Sequence, residues 1–266
     1  MGGDAVSDAR GLFLGQPGTI TVCLHLIALW AIWKKQDILA GVLLALSIYK
    51  PQIGFLIIPF LLLWALRVYR WRIVISFGVT AGALILLSFL FVPSWLGDWL
   101  QQAAQYTGYT RIGSPVWVVT HVYLPFLGDA GELLIGALLV LFMLWAWWRV
   151  IGRNEQALFA WTAALTLAVT HLIAVRTATP HFVAYLPVLV LTMRQIARTD
   201  RRTGSLRAAA VMVALSAALW VLFLTTLEGR FEHPANYLPL PFGSLILLSL
   251  LRRDWWRLPI PTSPAS

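Results

Sequence analysis

Charge is what this chain has least of. Only 12% of its 266 residues are Asp, Glu, Lys or Arg, while 59% are hydrophobic. Soluble domains carry about one quarter charged residues and are about half apolar. With a mean hydropathy of +0.78, a soluble globular domain is excluded and an integral membrane protein is predicted. Acidic residues are the scarcest of the charged set, 11 against 20 basic, for a net charge of +9. That surplus does not build a nucleic-acid face, because the basic residues fall in short clusters between apolar runs, as the positive-inside rule expects. Membrane lipids are predicted as partners and no nucleic acid. Cysteine occurs once, Cys23, within an apolar run, so an intramolecular disulfide is excluded. The opening from Met1 to Gln16 is polar and mixed in charge, without the apolar core of a cleavable signal peptide. Asp-x-Asp, a Gly-rich phosphate loop, a nucleophile elbow and metal-ligand spacings are missing too. No metal site and no cofactor are expected.

What is present is a series of apolar runs, at 18–33, 38–49, 53–66, 73–92, 132–148, 157–175, 182–193, 208–226 and 237–251. At about 20 residues per crossing, the length suits about 8–9 transmembrane helices. The predicted fold class is all-α, a polytopic integral membrane helical bundle. It forms one domain over 1–266, with a polar N-terminal segment at 1–17 and a long outer loop at 93–131. No repeat, heptad or low-complexity linker divides it.

The connections alternate in character. One set holds Lys34 and Lys35, Arg67, Arg70 and Arg72, Arg149 and Arg153, Arg194, Arg198, Arg201, Arg202 and Arg207, then Arg252, Arg253 and Arg257. The other holds only Arg10, Lys50, Arg111, Arg176 and Arg230. The richer side is predicted to be cytoplasmic. Lys50, the loop 93–131 and the links 176–181 and 227–236 then face outward across the plasma membrane. Tryptophans near run ends, Trp33, Trp64, Trp71, Trp95, Trp99, Trp147, Trp148, Trp255 and Trp256 among them, are expected in the interfacial belt. Gly78-x-x-x-Gly82 permits close helix packing.

The stretch 41–66 is the most informative. Two short apolar runs meet at Lys50-Pro51-Gln52, and lysine is costly at membrane depth. Proline suits the first position of a helix, so a helix from Pro51 to Leu66 is predicted, its free N–H groups beside the Lys50 ammonium. A cation at a helix N-terminus is an anion site suited to phosphate. A snorkelling end-cap that keeps the turn at the surface explains the same lysine. The two runs are expected to form a hairpin whose tip lies below the outer surface, in a water-filled recess.

Three further places could carry chemistry. The loop 93–131 contains Trp95, Asp98, Trp99, Gln101, Gln102, Gln105, Tyr106, Tyr109, Arg111, Trp117, His121 and Asp129. An interfacial helix over a polar lipid or sugar, or a plain amphipathic surface helix, fits it. In the stretch Arg176 to Tyr185, His181 and Tyr185 are four apart, on one face of an α-helix, and His171 lies near the outer end of the preceding run. These histidines are functional or packing residues. Glu228 and Glu232 suit acid–base work but read more simply as solvated loop residues.

The residues GQPGTI, then LAGVLLALSIYKPQIGFLIIPFLLL with RVYRWR after it, and later ATPHFVAYLPVLVL, resemble family 87 of the glycosyltransferases. The resemblance covers 15–95 and, less fully, 170–195. It implies a polytopic enzyme of the GT-C class. Such an enzyme takes a hexose, typically mannose, from a polyprenyl-phosphate carrier on the outer side and transfers it to a lipid or glycan acceptor. It further implies that Lys50 binds the carrier phosphate, with Gln16 and Gln52 lining the same recess. His181 would sit at the reaction centre, and Tyr185 and Arg176 would join the substrate site. No nucleotide sugar or other cofactor is implied. The family usually has an outer-loop Asp, the expected base, upstream of the Gly-Gln pair; here 14 residues precede Gly15 and offer Asp4 and Asp8. Where the family often places an acidic residue after the tyrosine, this chain has Leu186. The chain is therefore expected to lack the N-terminal third of such an enzyme.

Two other functions compete. A transporter or lipid flippase would be expected to show paired repeats and mid-span ionisable residues, and neither a repeat nor a mid-span carboxylate occurs. A non-catalytic remnant of the transferase is the other.

Overall fold

The computed structural model describes residues 18–109, 113–174, 179–199, 202–226 and 233–250. All regular structure among them is helical, and the molecule is an all-α membrane helical bundle. Within the described residues the apolar runs of the sequence are mostly helical, several of them, such as 53–66 and 182–193, divided between two helical segments. Among the described residues, four helices are long and apolar enough to cross a membrane: Trp71–Phe91, Gly128–Gly152, Gln156–Ile173 and Gly204–Thr225. Three shorter apolar ones, Gly18–Trp33, Asp37–Tyr49 and Ile57–Arg67, surround the Lys50 link in sequence.

Helix α1 is Gly18–Trp33, α2 is Asp37–Leu46, and a 3-10 turn at Ser47–Tyr49 carries the chain to Lys50. The single helix predicted from Pro51 to Leu66 is instead two, α3 at Pro51–Gly54 and α4 at Ile57–Arg67. Pro59 is the cause. It has no N–H for the Phe55 carbonyl, and its ring crowds that oxygen. The ladder lapses at Phe55–Leu56 and resumes with Phe60 N–H donating to the Leu56 carbonyl at 3.1 Å. Pro51 does hold the first helical position, but the helix it opens is four residues long.

Helix α5, Trp71–Phe91, packs on α2. The glycine that permits this is not in the Gly78-x-x-x-Gly82 pair, around whose β positions there is open space within 4 Å. It is Gly41: a β carbon there would overlap Ser76 Oγ and the Ile73 carbonyl and stand 2.8 Å from Phe77 N. Helix α6, Trp95–Tyr109, lies in the long loop, as an interfacial helix there would. After it come a short α7, Pro115–Trp117, a π-helical turn at Val118–Tyr123, and α8, Gly128–Trp147.

Helix α9, Phe159–Ile173, is the centre of the bundle. Of its membrane-length window 72% is buried, against 6% for α5 and for the later helix Gly204–Thr225. The latter two thus present their apolar side chains to lipid. Two hydroxyls buried along α9 turn back on their own helix, unlike that of Thr162: Thr166 donates to the Thr162 carbonyl and Thr170 to the Thr166 carbonyl, both at 2.7 Å. This removes the cost of an unpaired hydroxyl in an apolar core.

Trp64 and Trp147, expected in the interfacial belt, are core residues. Their rings join Phe60 and Phe159, with Trp64 and Phe159 centroids 4.4 Å apart and Phe60 and Trp147 centroids 5.4 Å apart. Each indole finds an inward partner, Gln156 Oε1 at 2.6 Å for Trp64 and Thr166 Oγ1 at 2.8 Å for Trp147. An inward acceptor is what lets an indole leave the interface. Trp33, Trp71, Trp99 and Trp148 are exposed, as a belt requires.

The basic links 34–37, 67–70 and 149–156 meet at one end of the bundle. Arg70, buried, pairs with Asp37 through Nε at 2.9 Å and donates from Nη2 to the Ile32 carbonyl at 3.0 Å. Arg67 Nε donates to the Ile151 carbonyl at 3.1 Å, and Arg149 pairs with Glu155. Lys35, Tyr69 and Asn154, one in each link, adopt positive φ of 57–60°, the left-handed turn that reverses the chain after a helix.

Candidate functional site

The other end of the bundle gathers the polar residues that the sequence singled out. Helix α1 begins on Gly18, and a β carbon on that residue would stand 3.1 Å from His181 Cδ2, 3.3 Å from Lys50 Nζ and 3.5 Å from Ile53 Cδ1. Three distant segments thus converge on one point: the start of α1, the Lys-Pro-Gln link, and the 3-10 turn Thr179–Tyr185. Lys50 is half-buried, in the link between α2 and α3, and loss of hydration holds its ammonium below the ordinary lysine value. His181 is buried.

Behind them stands a wall of buried rings. His171, on α9, lies 6.5 Å from His181 and 6.0 Å from Tyr185 between ring centroids, edge-on to both. Its Nδ1 is 2.9 Å from the Leu167 carbonyl, so that nitrogen carries the proton. Tyr185 is fully buried, its hydroxyl directed to the Ala168 carbonyl at 3.5 Å. The shared face predicted for His181 and Tyr185 assumed an α-helix; the observed turn is 3-10, in which residues four apart do not align. His171 is nevertheless flanked by both.

His25 completes the cluster, and it escaped the sequence reading. It is fully buried on α1, with Nε2 3.0 Å from Ser47 Oγ. A signal for His25 did exist, since an ionisable side chain inside the apolar run GTITVCLHLIALWAIW has to face the bundle interior.

Of the other expected site residues, Gln52 is exposed on α3, next to Lys50 in the chain. Gln16 and Arg176 lie outside the described residues, as do Asp4, Asp8, Arg111, Glu228 and Glu232. In and beside the loop 93–131, His121 stacks on Trp117 at 5.0 Å and has Asp129 Oδ1 3.0 Å from its Nε2 and Glu132 Oε2 3.9 Å from its Nδ1. One donor atom from each of the three lies within 4.8 Å of the others. The two carboxylates approach opposite ring nitrogens, however, and a metal ion uses only one of these. The imidazole is held by hydrogen-bonding partners on both nitrogens, with Thr120 Oγ1 2.9 Å and the Trp117 carbonyl 3.2 Å from Nδ1.

Chemically, the Gly18 end of the bundle offers a cation and a histidine side by side, packed against a glycine whose missing side chain lets both approach the start of α1. A phosphate ester with an apolar tail suits a cation set at the edge of an apolar bundle. No curated protein and no solved structure matches the chain. A family model, that of glycosyltransferase family 87, matches residues 9–174. That span takes in Gly18, His25, Lys50 and His171 and ends before the Thr179–Tyr185 turn. More than half of the chain lies within the match, and the chain belongs to glycosyltransferase family 87.

Proposed function

We propose that this glycosyltransferase is a GT-C-class hexosyltransferase that moves a hexose, mannose foremost, from a polyprenyl-phosphate carrier to a lipid or glycan acceptor. The reaction is assigned to the outer face of the plasma membrane, because the basic links gather at the end away from Lys50. The observation that carries the proposal is the convergence of Lys50 Nζ and His181 on Gly18.

In the reaction, the bond from the anomeric carbon to the phosphate oxygen breaks, an acceptor hydroxyl oxygen bonds to that carbon, and the hydroxyl proton leaves to a base. Negative charge grows on the carrier phosphate as its bond breaks. A cation held in a half-buried position favours that charge more than it favours the intact donor. Because Pro59 limits the helix after Lys50 to four residues, this charge falls to the ammonium rather than to a long helix dipole. His181 takes the reaction-centre position beside the phosphate. Gln52, with Gln16 and Arg176, is assigned to the outer rim of the donor site, and Tyr185 to its inner wall behind His171.

The test uses purified protein in lipid nanodiscs with a radiolabelled polyprenyl-phosphate mannose, comparing wild type, Lys50→Ala and His181→Ala. Transfer by wild type, with donor binding lost in Lys50→Ala and turnover lost in His181→Ala, is the expected result. Binding without transfer in wild type would favour the non-catalytic remnant or a lipid flippase. No binding at all would reduce Lys50 to a snorkelling end-cap.

A further inference from the structure

We infer that His25 is a positioning residue for Lys50, fastening the turn before the Lys-Pro-Gln link by a hydrogen bond and lying close to the backbone after it, from a different helix. The inference rests on the proposed role of Lys50 in holding the donor phosphate. Ser47 opens the 3-10 turn that ends on Lys50. A serine hydroxyl has one proton, and at 2.6 Å from the Leu44 carbonyl it is donated there. The 3.0 Å contact with His25 Nε2 is then an N–H donated by the imidazole to Ser47 Oγ. On the other flank, a β carbon at Gly54 would stand 3.4 Å from the same His25 Nε2. The ring edge therefore sits between residues 47 and 54, which bracket Lys50.

Helix α1 is a firm base for such a fastening, since His25 shares its buried face with Val22, Ala28, Ala31 and Ile32. Packing alone does not call for an imidazole here, because a leucine would fill an apolar helix contact without burying polar nitrogens. Among the described residues, His25 Nδ1 has no hydrogen-bond partner, so its single bond to Ser47 is what the ring contributes. The start of α1 also contributes Gly18 to the point where Lys50 and His181 meet. One helix thus meets Lys50 at Gly18 and the turn that precedes it at Ser47.

The experiment measures the affinity of nanodisc-embedded protein for undecaprenyl phosphate, with thermal unfolding in parallel, for wild type, His25→Leu, His25→Gln and Ser47→Ala. A glutamine amide nitrogen occupies nearly the position of the imidazole Nε2 and can donate to Ser47. Expected are a weakening of about tenfold in His25→Leu, recovery to within about threefold of wild type in His25→Gln, and a loss in Ser47→Ala like that of His25→Leu. The double variant His25→Leu/Ser47→Ala should bind no worse than either single one, because both remove one bond. Full affinity in His25→Leu or Ser47→Ala overturns the inference, as does a His25→Gln variant no better than His25→Leu. If His25→Leu does not fold, Ser47→Ala decides. Wild type that binds no undecaprenyl phosphate is instead a failure of the donor-site proposal itself, and this inference falls with it.

Discussion

Lys50 Nζ and His181 Cδ2 press toward the same face of Gly18, 3.3 and 3.1 Å from the point where a β carbon would stand. Neither residue is near the other in the chain. The missing side chain of Gly18 is therefore part of the site, and its replacement is a direct probe of it. Gly18→Ala should weaken donor binding by about tenfold, because a methyl at those distances forces both neighbours aside. Helix α1 should keep its stability, since alanine is the better helix former. Affinity for undecaprenyl phosphate and thermal unfolding, measured on the same sample, separate the two effects. Unchanged affinity would remove Gly18 from the site.

The charge on Lys50 makes donor binding pH-dependent at the alkaline end. Its pKa is held below the ordinary lysine value by burial, and only the ammonium attracts phosphate. Binding should be strong at neutral pH and fall as pH rises through that lowered value. Lys50→Arg, whose guanidinium stays protonated throughout, should lose the alkaline decline in whatever affinity it retains. A titration of affinity against pH for both proteins checks this.

Pro59 should trade stability for function. Pro59→Ala restores an N–H that can donate to the Phe55 carbonyl and relieves the ring's crowding of that oxygen, joining α3 to α4. Thermal stability should rise by about 1–3 kcal/mol. Donor affinity should fall, because a straightened helix redirects the Lys50 link. A stabilised variant with full affinity would show that the break has no part in the site.

Arg70→Met should be strongly destabilising. Arg70 is buried and Asp37 partly so, and removing Arg70 leaves a half-buried carboxylate without its partner and an orphaned Ile32 carbonyl, at a cost of about 1–3 kcal/mol. Arg70→Lys should not rescue it, because an ammonium cannot serve Asp37 and the Ile32 carbonyl in the same fork geometry. Unfolding in mild detergent, compared with donor affinity at low temperature, distinguishes this fold defect from a site defect.

Much of this was legible in the sequence, for physical reasons. Lys50 stood out because a lysine between two apolar runs has to be accounted for, and His181 because of the residues around it. Besides the shared face of His181 and Tyr185, three readings went astray where local pattern was not enough. Gly78 and Gly82 have the spacing for close packing but face open space, whereas Gly41 touches the α5 backbone. Trp64 and Trp147 sit near run ends yet turn inward, since Gln156 and Thr166 wait there as acceptors. The Pro51–Leu66 helix breaks because of Pro59, whose effect falls four residues upstream of itself. His25 went unnoticed because its partner, Ser47, belongs to another helix.

By itself the sequence determined that this chain is a helical membrane protein whose basic residues cluster between its apolar runs, and that Lys50 is a lone cation where two of those runs meet. Composition and run length settle those matters because lipid leaves the backbone few choices and strongly disfavours buried charge. Only the tertiary structure decided that Gly18, Lys50 and His181 meet, and that His25 reaches across to Ser47 beneath them. Such meetings depend on how helices from opposite ends of the chain pack around α9, and no local pattern encodes a distance between segments so far apart.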